Sequence, residues 1–254
     1  MNNFILSIKE QAKKNKKIIV LPESMDNRVI EAAKIASEEG IADIILIGTP
    51  KDDLSNYNIK IIEPEHSELT IELKNELYNL RKEKGMTEEK AYEILTTDYM
   101  YYACMLVKMG YADGVVSGAC HSTANTLRPA LQIIKTKPNI NLVSSFFLMI
   151  VPDCEYGENG VFIFSDCGLE PNPTSEKLAD IAGASAESFE LLVGKEPRIA
   201  MLSFSTKGSA SHDDVNKVIE AVNIAKDKYI NYKIDGELQL DAAIIPEVAS
   251  SKAP

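Results

Sequence analysis

Short apolar runs, each ended by a proline or glycine, alternate with amphipathic stretches in the first third of this chain. The runs occupy 18–21, 43–47 and 59–62. After the first run, Asp26 can cap a helix that Gly40 ends. Runs of this kind are typical of strands buried on both faces, and the strand–helix–strand order predicts a parallel sheet covered by helices.

Helical periodicity dominates the next forty residues. Four leucines from Leu69 to Leu80 share one helix face. Thr87 can cap a second helix, and Asp98 can cap a third, strongly apolar one. A strand is then predicted over 113–117, and a helix over 126–135 with a proline in its first turn.

The second half repeats the alternation. Strands are predicted over 142–151, 161–165 and 198–204, a long helix is capped by Thr174, and another helix begins at 211–214. The domain boundary is predicted near a lysine–proline–asparagine sequence, which gives an α/β domain over 1–138 and a second over 139–254. The last residues, from Asp241 on, show no closing helix or polar tail, which is typical of a chain that has lost its continuation; the alternative is a natural frayed terminus.

Composition and charge exclude several classes of protein. The 254 residues contain 27 Lys and Arg against 38 Asp and Glu, a formal net charge of −11, without a basic block. Nucleic-acid binding is therefore not expected. The most apolar run, 142–151, is too short to cross a membrane, and the N-terminus lacks the charge order of a signal peptide. With four cysteines in no paired motif, the chain is expected to be a cytoplasmic protein with free thiols.

The first candidate site is the segment 117–129, which joins a predicted strand to a predicted helix. Its helix start offers unpaired amides, the hydroxyls of Ser122, Thr123 and Thr126 add donors, and Arg128 adds a two-pronged cation. These groups suit phosphate. The alternative is that the hydroxyls only cap the helix and that Arg128 is a surface residue.

The second candidate site is the loop 203–211, which also joins a strand to a helix. It is rich in hydroxyl groups and contains Ser205, Thr206, Lys207 and Ser209. Its composition is that of a phosphate-binding loop, although it lacks the spacing of a Walker motif. The alternative is a polar loop with a capping serine.

The remaining reactive residues give weaker patterns. Cys120 and His121 are sequence neighbours, poorly placed to chelate one ion, and no zinc spacing exists, so no metal is expected. Cys154 and Cys167 lie near predicted loops, where a nucleophile is an alternative to an inert thiol. Arg81 ends a predicted helix, where a cation favourably meets the helix dipole.

Seven stretches in order resemble the phosphate acetyl/butyryltransferase family. They cover nearly the whole chain, and the resemblance is closest to the acetyltransferases of the family. The stretches are 19–24, 81–87, 112–119, 125–130, 164–174, 202–210 and 235–243.

The resemblance implies two α/β/α domains with largely parallel sheets and the active site in a cleft between them, usually in a homodimer. It implies reversible acetyl transfer between coenzyme A and phosphate, with CoA as a substrate and no cofactor. By motif, Arg81 and Arg128 correspond to the family's CoA-associated arginines. Cys154 corresponds to a cysteine lining the active-site region, and 203–211 to a loop beside the acyl phosphate.

Family members also continue past the length of this chain. That continuation completes the first domain and carries a Ser-Arg pair and an Asp that act in catalysis. The resemblance therefore implies that the catalytic residues lie beyond Pro254 and that the chain as given has little activity. The alternatives are a phosphate butyryltransferase and a non-catalytic acyl-CoA or acyl-phosphate regulator.

The expected chemistry is direct attack of the CoA thiolate on acetyl phosphate. Because CoA is itself a good nucleophile, an acyl-enzyme is not required. A two-step route through Cys154 is the alternative mechanism.

Overall fold

A computed structural model describes residues 3–138, 140 and 142–253. The chain divides into two compact units between Lys135 and Thr136, three residues before the boundary predicted from the sequence. The described elements of the first unit are α1 (Asn3–Lys14), β1 (Lys17–Leu21), α2 (Asn27–Glu39), β2 (Ala42–Ile47), β3 (Ile59–Ile62), α3 (Leu69–Arg81), α4 (Glu88–Thr97), α5 (Tyr99–Lys108), β4 (Gly114–Val115) and α6 (Thr123–Ile133). Those of the second unit are β5 (Phe146–Ile150), β6 (Val161–Ser165), α7 (Ser175–Val193), β7 (Arg198–Leu202), α8 (Asp213–Lys228), β8 (Lys233–Leu238), α9 (Leu240–Ile244) and α10 (Pro246–Lys252).

The first unit is built on a parallel sheet in the order β3-β2-β1-β4. Alternate residues of β2 enter two different cores. Ile45 and Ile47 pack with α3, α4 and α5, whereas Ile44 and Leu46 pack with α2. Both faces of the sheet are therefore covered by helices, as the continuous apolar runs predicted.

The predicted caps of the first unit are confirmed. Asp26 accepts a hydrogen bond from the amide of Arg28, and Gly40 ends α2 in the left-handed conformation. Thr87 and Asp98 likewise accept amides at the starts of α4 and α5. These side chains fix where each helix begins, which is why the sequence located them well.

The prediction for α6 was wrong at its start. Ser122 accepts the amide of Asn125 and begins the helix at Thr123, so Pro129 lies inside the helix instead of in its first turn. A proline normally suggests a helix start, but here the serine cap decides it. The preceding strand is also shorter than predicted, because β4 ends at Val115.

In the second unit, β7 and β8 pair in parallel, whereas β5 and β6 form an antiparallel pair. The α/β fold class is confirmed, with this pair as the exception to parallel pairing. The strand predicted from residue 142 begins only at Phe146, and the one predicted to residue 204 ends at Leu202. Small residues let α7 and α8 approach closely over β7 and β8, and the shared core is Ala179, Ala182, Met201, Val218, Ala221, Val222, Ala225 and Ile234.

The end of the chain corrects a further expectation. Instead of lacking a helix, the segment after β8 forms α9 and α10, the latter with a proline at its first position. Strand β8 itself was not predicted, since Asp235, Gly236 and Glu237 are unusual in strands. The start of α8 also differs slightly, because its cap is His212.

Gly183 lies in α7 where a Cβ atom would overlap the ring of Tyr229. Alanine normally stabilises a helix by about 1 kcal/mol relative to glycine. Here we expect Gly183→Ala to lower the free energy of unfolding by about 1–2 kcal/mol, because the steric overlap with Tyr229 destabilises the protein by more than the higher helix propensity of alanine stabilises it. Urea unfolding checks this, and in a Tyr229→Ala background the same change should become neutral or stabilising. A stabilised Gly183→Ala protein with Tyr229 present would contradict the packing described here.

Within the described residues, the helices are all too short or too polar to cross a membrane.

Candidate active site

The segments that follow β1 and β4 meet at one edge of the sheet, since these strands are parallel neighbours. Glu23 follows β1, and its buried carboxylate accepts four backbone amides from the loop after β4. Gly118 and Ala119 donate to Oε2, both at 2.9 Å. Cys120 and His121 donate to Oε1, at 2.8 and 2.9 Å. Four amides of the candidate segment, in the loop before α6, therefore hold the protein's own carboxylate.

The same carboxylate also bonds a side chain. The Nδ1 atom of His121 lies 2.7 Å from Oε1 of Glu23. Burial raises the pKa of Glu23, but the amides and the imidazole outweigh burial and hold that pKa well below its usual range. Glu23 is therefore ionised at neutral pH and fixes the loop. Sequence reasoning missed this role, because Glu23 lies almost a hundred positions before its partners.

Glu23, Cys120 and His121 each place one possible metal-ligand atom within 4.8 Å of the others. Cys120 and His121, which the sequence indicated to be poorly placed to chelate one ion, do therefore lie around a common point. The carboxylate oxygens of Glu23 are already occupied, because they accept four backbone amides and lie against the His121 ring. The hydrogen bonds account for this cluster, and we do not assign these side chains as metal ligands.

The positive charges of the two arginines singled out by the resemblance both lower the pKa of one tyrosine, Tyr101. Tyr101, on α5, donates a hydrogen bond to Oε1 of Gln132 on α6 at 2.9 Å. Burial, followed by Asp98, raises the pKa of Tyr101, while Arg128 and Arg81 oppose the rise. The structure thus brings the end of α3 and the middle of α6 to the same neighbourhood. No sequence signal pointed to Tyr101 or Gln132.

Three buried polar atoms in the first unit have no hydrogen-bond partner within the described chain: Nε of Arg81, Oγ of Ser117 and Oγ1 of Thr126. Each such group costs about 1–3 kcal/mol unless a ligand or water satisfies it. Two of the three belong to the predicted substrate-binding set. Unpaired donors of this kind are typical of a site that binds a polar ligand.

The other residues of the first candidate segment are more exposed. Ser122 caps α6, which agrees with the alternative that its hydroxyl serves as a helix cap. Thr123, at the first position of the helix, and Arg128 are exposed. Their predicted contacts with substrate stay predictions.

The hydroxyls of the second candidate loop hold the loop together. Ser205 is fully buried, donates to Oε1 of Glu237 at 3.0 Å and accepts the amide of Ala210. The same Oε1 accepts the amide of Gly208 at 2.7 Å. Ser209 accepts an amide from its own loop at 2.9 Å. Like the first loop, this one is organised around a buried carboxylate.

The remaining predicted groups of this loop are also engaged. Thr206 accepts the amide of Gln239 at 2.9 Å. Lys207 donates to Asp235 at 2.6 Å and to the carbonyl of Gly236 at 2.9 Å. A role in substrate binding for these side chains remains a prediction, and Lys207 would have to leave Asp235 to bind an anion directly.

The cysteines differ in environment. Burial raises the pKa of Cys104 to about 12, so this thiol is inert at neutral pH. Cys154 lies between β5 and β6, half-buried, with its sulfur 4.0 Å from the carbonyl of Tyr156. Among the described residues, no histidine or carboxylate side chain bonds Cys154, so its thiol lacks an activating base.

A third carboxylate organises the start of the β5–β6 pair. Asp166 accepts the amides of Ser145, Gly168 and Leu169, at 2.7 to 3.0 Å. Burial raises the pKa of Asp166, but these amides outweigh it and lower the pKa to about 2. The bond from its amide to Asp166 explains why Ser145 lies outside the strand predicted to include it.

We expect Asp166→Asn to lower the free energy of unfolding by about 1–2 kcal/mol at pH 7. Because the pKa is depressed in the folded state, this stabilisation is complete above the unfolded pKa of about 3.9 and is lost as pH falls from about 4 towards 2. Urea unfolding at pH 7 and pH 3 should show the difference shrinking. Asp227→Asn, at an exposed position, is the matched control. An equal difference at both pH values would contradict this account of Asp166.

Comparison with known proteins identifies the family to which this chain belongs. The pattern of the family described as phosphate acetyl/butaryl transferase matches residues 3–254. A protein named phosphate acetyltransferase from Thermoanaerobacterium thermosaccharolyticum is 54% identical over 259 residues, covering 99% of this chain and 78% of the relative. One from Acetivibrio thermocellus is 52% identical, covering 99% and 77%.

A solved structure agrees. The EutD phosphotransacetylase from Staphylococcus aureus superposes with a TM-score of 0.88 at 44% identity, covering 99% of this chain and 77% of that one. The resemblance found in the motifs is confirmed. This chain belongs to the phosphate acetyl/butaryl transferase family.

Proposed function

We propose that this protein is a phosphate acetyltransferase, which converts acetyl-CoA and phosphate to CoA and acetyl phosphate and back. The observation that carries the proposal is 54% identity, along 99% of the chain, to a protein named for this activity. The acetyl reaction is favoured over the butyryl one for the same reason.

The substrates are anions, and the protein has a net charge of −11. Local cations and donors must therefore capture them. Arg81 and Arg128 supply the charge, and the positive charges of both oppose the rise in the pKa of Tyr101. The unpaired hydroxyls of Ser117 and Thr126 supply further donors for phosphoryl or diphosphate oxygens.

The reaction requires no covalent enzyme intermediate. The CoA thiol loses its proton, its sulfur bonds the acetyl carbon, and the bond from that carbon to the phosphate oxygen breaks. Phosphate leaves with the electron pair. Charge that develops on the carbonyl oxygen and on phosphate is stabilised by positioned donors.

Cys154 is therefore not expected to carry the acetyl group. We expect Cys154→Ser to keep kcat within about tenfold of the parent protein, because the thiol has no activating partner among the described residues. Steady-state assays and mass spectrometry of protein quenched with acetyl phosphate measure this. Loss of about a thousandfold in kcat, together with an acetylated Cys154 in the parent, would contradict it.

The test of the proposed function compares two acyl phosphates and two readouts. Purified protein is given CoA with acetyl phosphate or butyryl phosphate, and CoA binding is measured separately by calorimetry. In protein continued past Pro254 to the length of its relatives, we expect turnover with a preference for acetyl phosphate. A preference for butyryl phosphate would make the protein a phosphate butyryltransferase, and CoA binding without turnover would make it a regulator; either result overturns the proposal.

We also propose that the protein is a cytoplasmic homodimer, as expected for this family. Light scattering of the purified protein tests the assembly, and fractionation of the source cells tests the location. A monomeric mass would overturn the dimer.

A further inference from the structure

We propose that Tyr101 and Gln132 are positioning residues for coenzyme A binding, because the hydrogen bond between them fixes the part of α6 that carries Arg128. This inference rests on the proposed function and deepens it. Neither side chain needs to touch the substrate, since both act through the arginine. Arg128 itself is exposed, so the position of its helix decides where the guanidinium group can reach.

Helix α6 has a weak point next to Arg128. The following residue, Pro129, lies inside the helix and has no N–H group. The helix therefore lacks the backbone hydrogen bond that would run from residue 129 to the carbonyl of Asn125. Helices commonly bend at such a point. Contacts further along α6 must therefore hold the turn that carries Arg128 in place.

Those contacts join α6 to α5. Ile133 is fully buried in a core that α5 shares. Beside it, Oε1 of Gln132 accepts the hydroxyl hydrogen of Tyr101 at 2.9 Å. Gln132 lies one helical turn after Arg128, so the two side chains follow one another along the same side of α6. The hydrogen bond thus holds the side of the helix from which Arg128 extends.

Helix α5 also packs against α3, the helix that ends at Arg81. Burial raises the pKa of Tyr101, and the positive charges of Arg128 and Arg81 both oppose that rise. The electrostatic influence of the two arginines therefore reaches the same hydroxyl group that bonds Gln132. A fixed α5 gives both arginines a common support.

Unpaired donors on the same helices indicate what the arginines bind. Nε of Arg81 and Oγ1 of Thr126, in the first turn of α6, are buried without a hydrogen-bond partner in the described part of the chain. Buried donors of this kind are normally satisfied by a ligand or by water. The phosphate groups of CoA supply acceptor oxygens that suit both donors and the guanidinium groups.

Tyr101→Phe removes only the hydroxyl group and keeps the ring. We expect it to raise the dissociation constant and the KM for CoA about 3- to 10-fold, while kcat stays within about twofold. Calorimetry and steady-state assays measure this in protein continued past Pro254 to the length of its relatives. Gln132→Met breaks the same bond from the other side and should match it. The double variant should be no weaker than either single variant, because only one bond is lost.

Tyr102→Phe is the matched control. Tyr102 is the next residue of α5, fully buried, and its hydroxyl lies 3.2 Å from Oγ1 of Thr70. Loss of this hydroxyl should lower the free energy of unfolding, measured with urea, without changing CoA affinity. The control thus separates a general loss of stability from a loss of positioning.

The decisive experiment repeats Tyr101→Phe in an Arg128→Ala background. If the tyrosine acts through the arginine, the added change should alter CoA affinity by less than about twofold. A loss of full size in that background would overturn the inference. So would a CoA affinity of Tyr101→Phe within twofold of the parent, an equal loss in Tyr102→Phe, or a fall in kcat at unchanged KM.

These outcomes are distinct from failure of the proposed function. Acetyl transfer by the parent leaves the proposed function intact in each of them. A parent that binds CoA without acetyl transfer would overturn the proposed function, and the affinities would still decide the role of Tyr101. A parent that binds no CoA would overturn both.

Discussion

Replacing Glu23 with alanine should lower the free energy of unfolding by about 3–5 kcal/mol at pH 7, the largest loss of stability that we expect from a single change. Four backbone amides and one imidazole nitrogen lose their acceptor, and each buried donor left unpaired costs about 1–3 kcal/mol before water relieves part of it. Urea unfolding measures the loss. Glu65→Ala, at an exposed glutamate, should change stability by less than about 0.5 kcal/mol.

The pH dependence of this effect has a definite sign. The pKa of Glu23 is lowered in the folded state, so its contribution is complete above the unfolded pKa of about 4.3. It is lost as pH falls below that value towards the depressed folded pKa. The gap between parent and Glu23→Ala should therefore narrow below about pH 4. A gap that is small at pH 7, or that widens in acid, would contradict the buried carboxylate described here.

Replacing Arg128 with alanine should weaken CoA binding about 10- to 150-fold while leaving folding unchanged. Loss of a charged hydrogen bond costs about 1.5–3 kcal/mol of binding. The side chain is exposed, so its removal leaves no cavity in the core. Calorimetric titration with CoA measures the effect, and Arg198→Ala, at an exposed arginine on β7, is the control. If folded Arg128→Ala protein binds CoA with unchanged affinity, Arg128 is not part of the CoA-binding site.

Local signals in the sequence predicted most of the first unit. The short apolar runs predict buried strands. Asp26, Thr87 and Asp98 predict helix starts, because each cap bonds an amide at most three residues further along the chain. Such signals can be recognised from a short stretch of sequence alone. The predicted start of α6 was wrong because Ser122 and Pro129 each indicate a helix start at a different position. Strand β8 was not predicted because its central residues are unusual in strands and because its burial depends on packing against α8, which no short stretch of sequence contains.

The candidate site was predictable only in part, for a similar reason. Motifs identified Arg81 and Arg128, but no sequence pattern indicated that both charges lower the pKa of Tyr101, which lies on a third helix. Glu23 could not be identified as the anion of the 118–121 loop, since strand order alone brings the two segments together. Both loops that seemed suited to phosphate proved to enclose a carboxylate of the chain, Glu23 in one and Glu237 in the other.

The most direct test of the central claim follows two products in one reaction. Purified protein, continued past Pro254 to the length of its relatives, is mixed with CoA and acetyl phosphate, and thioester formation and phosphate release are recorded together. If the acetyl group is transferred to the CoA thiol, thioester formation and phosphate release must proceed at equal rates. Both reactions should stop when CoA is omitted. Phosphate release without thioester, or neither product under conditions in which the protein is folded and binds CoA, would contradict the assignment of acetyl transfer to this chain.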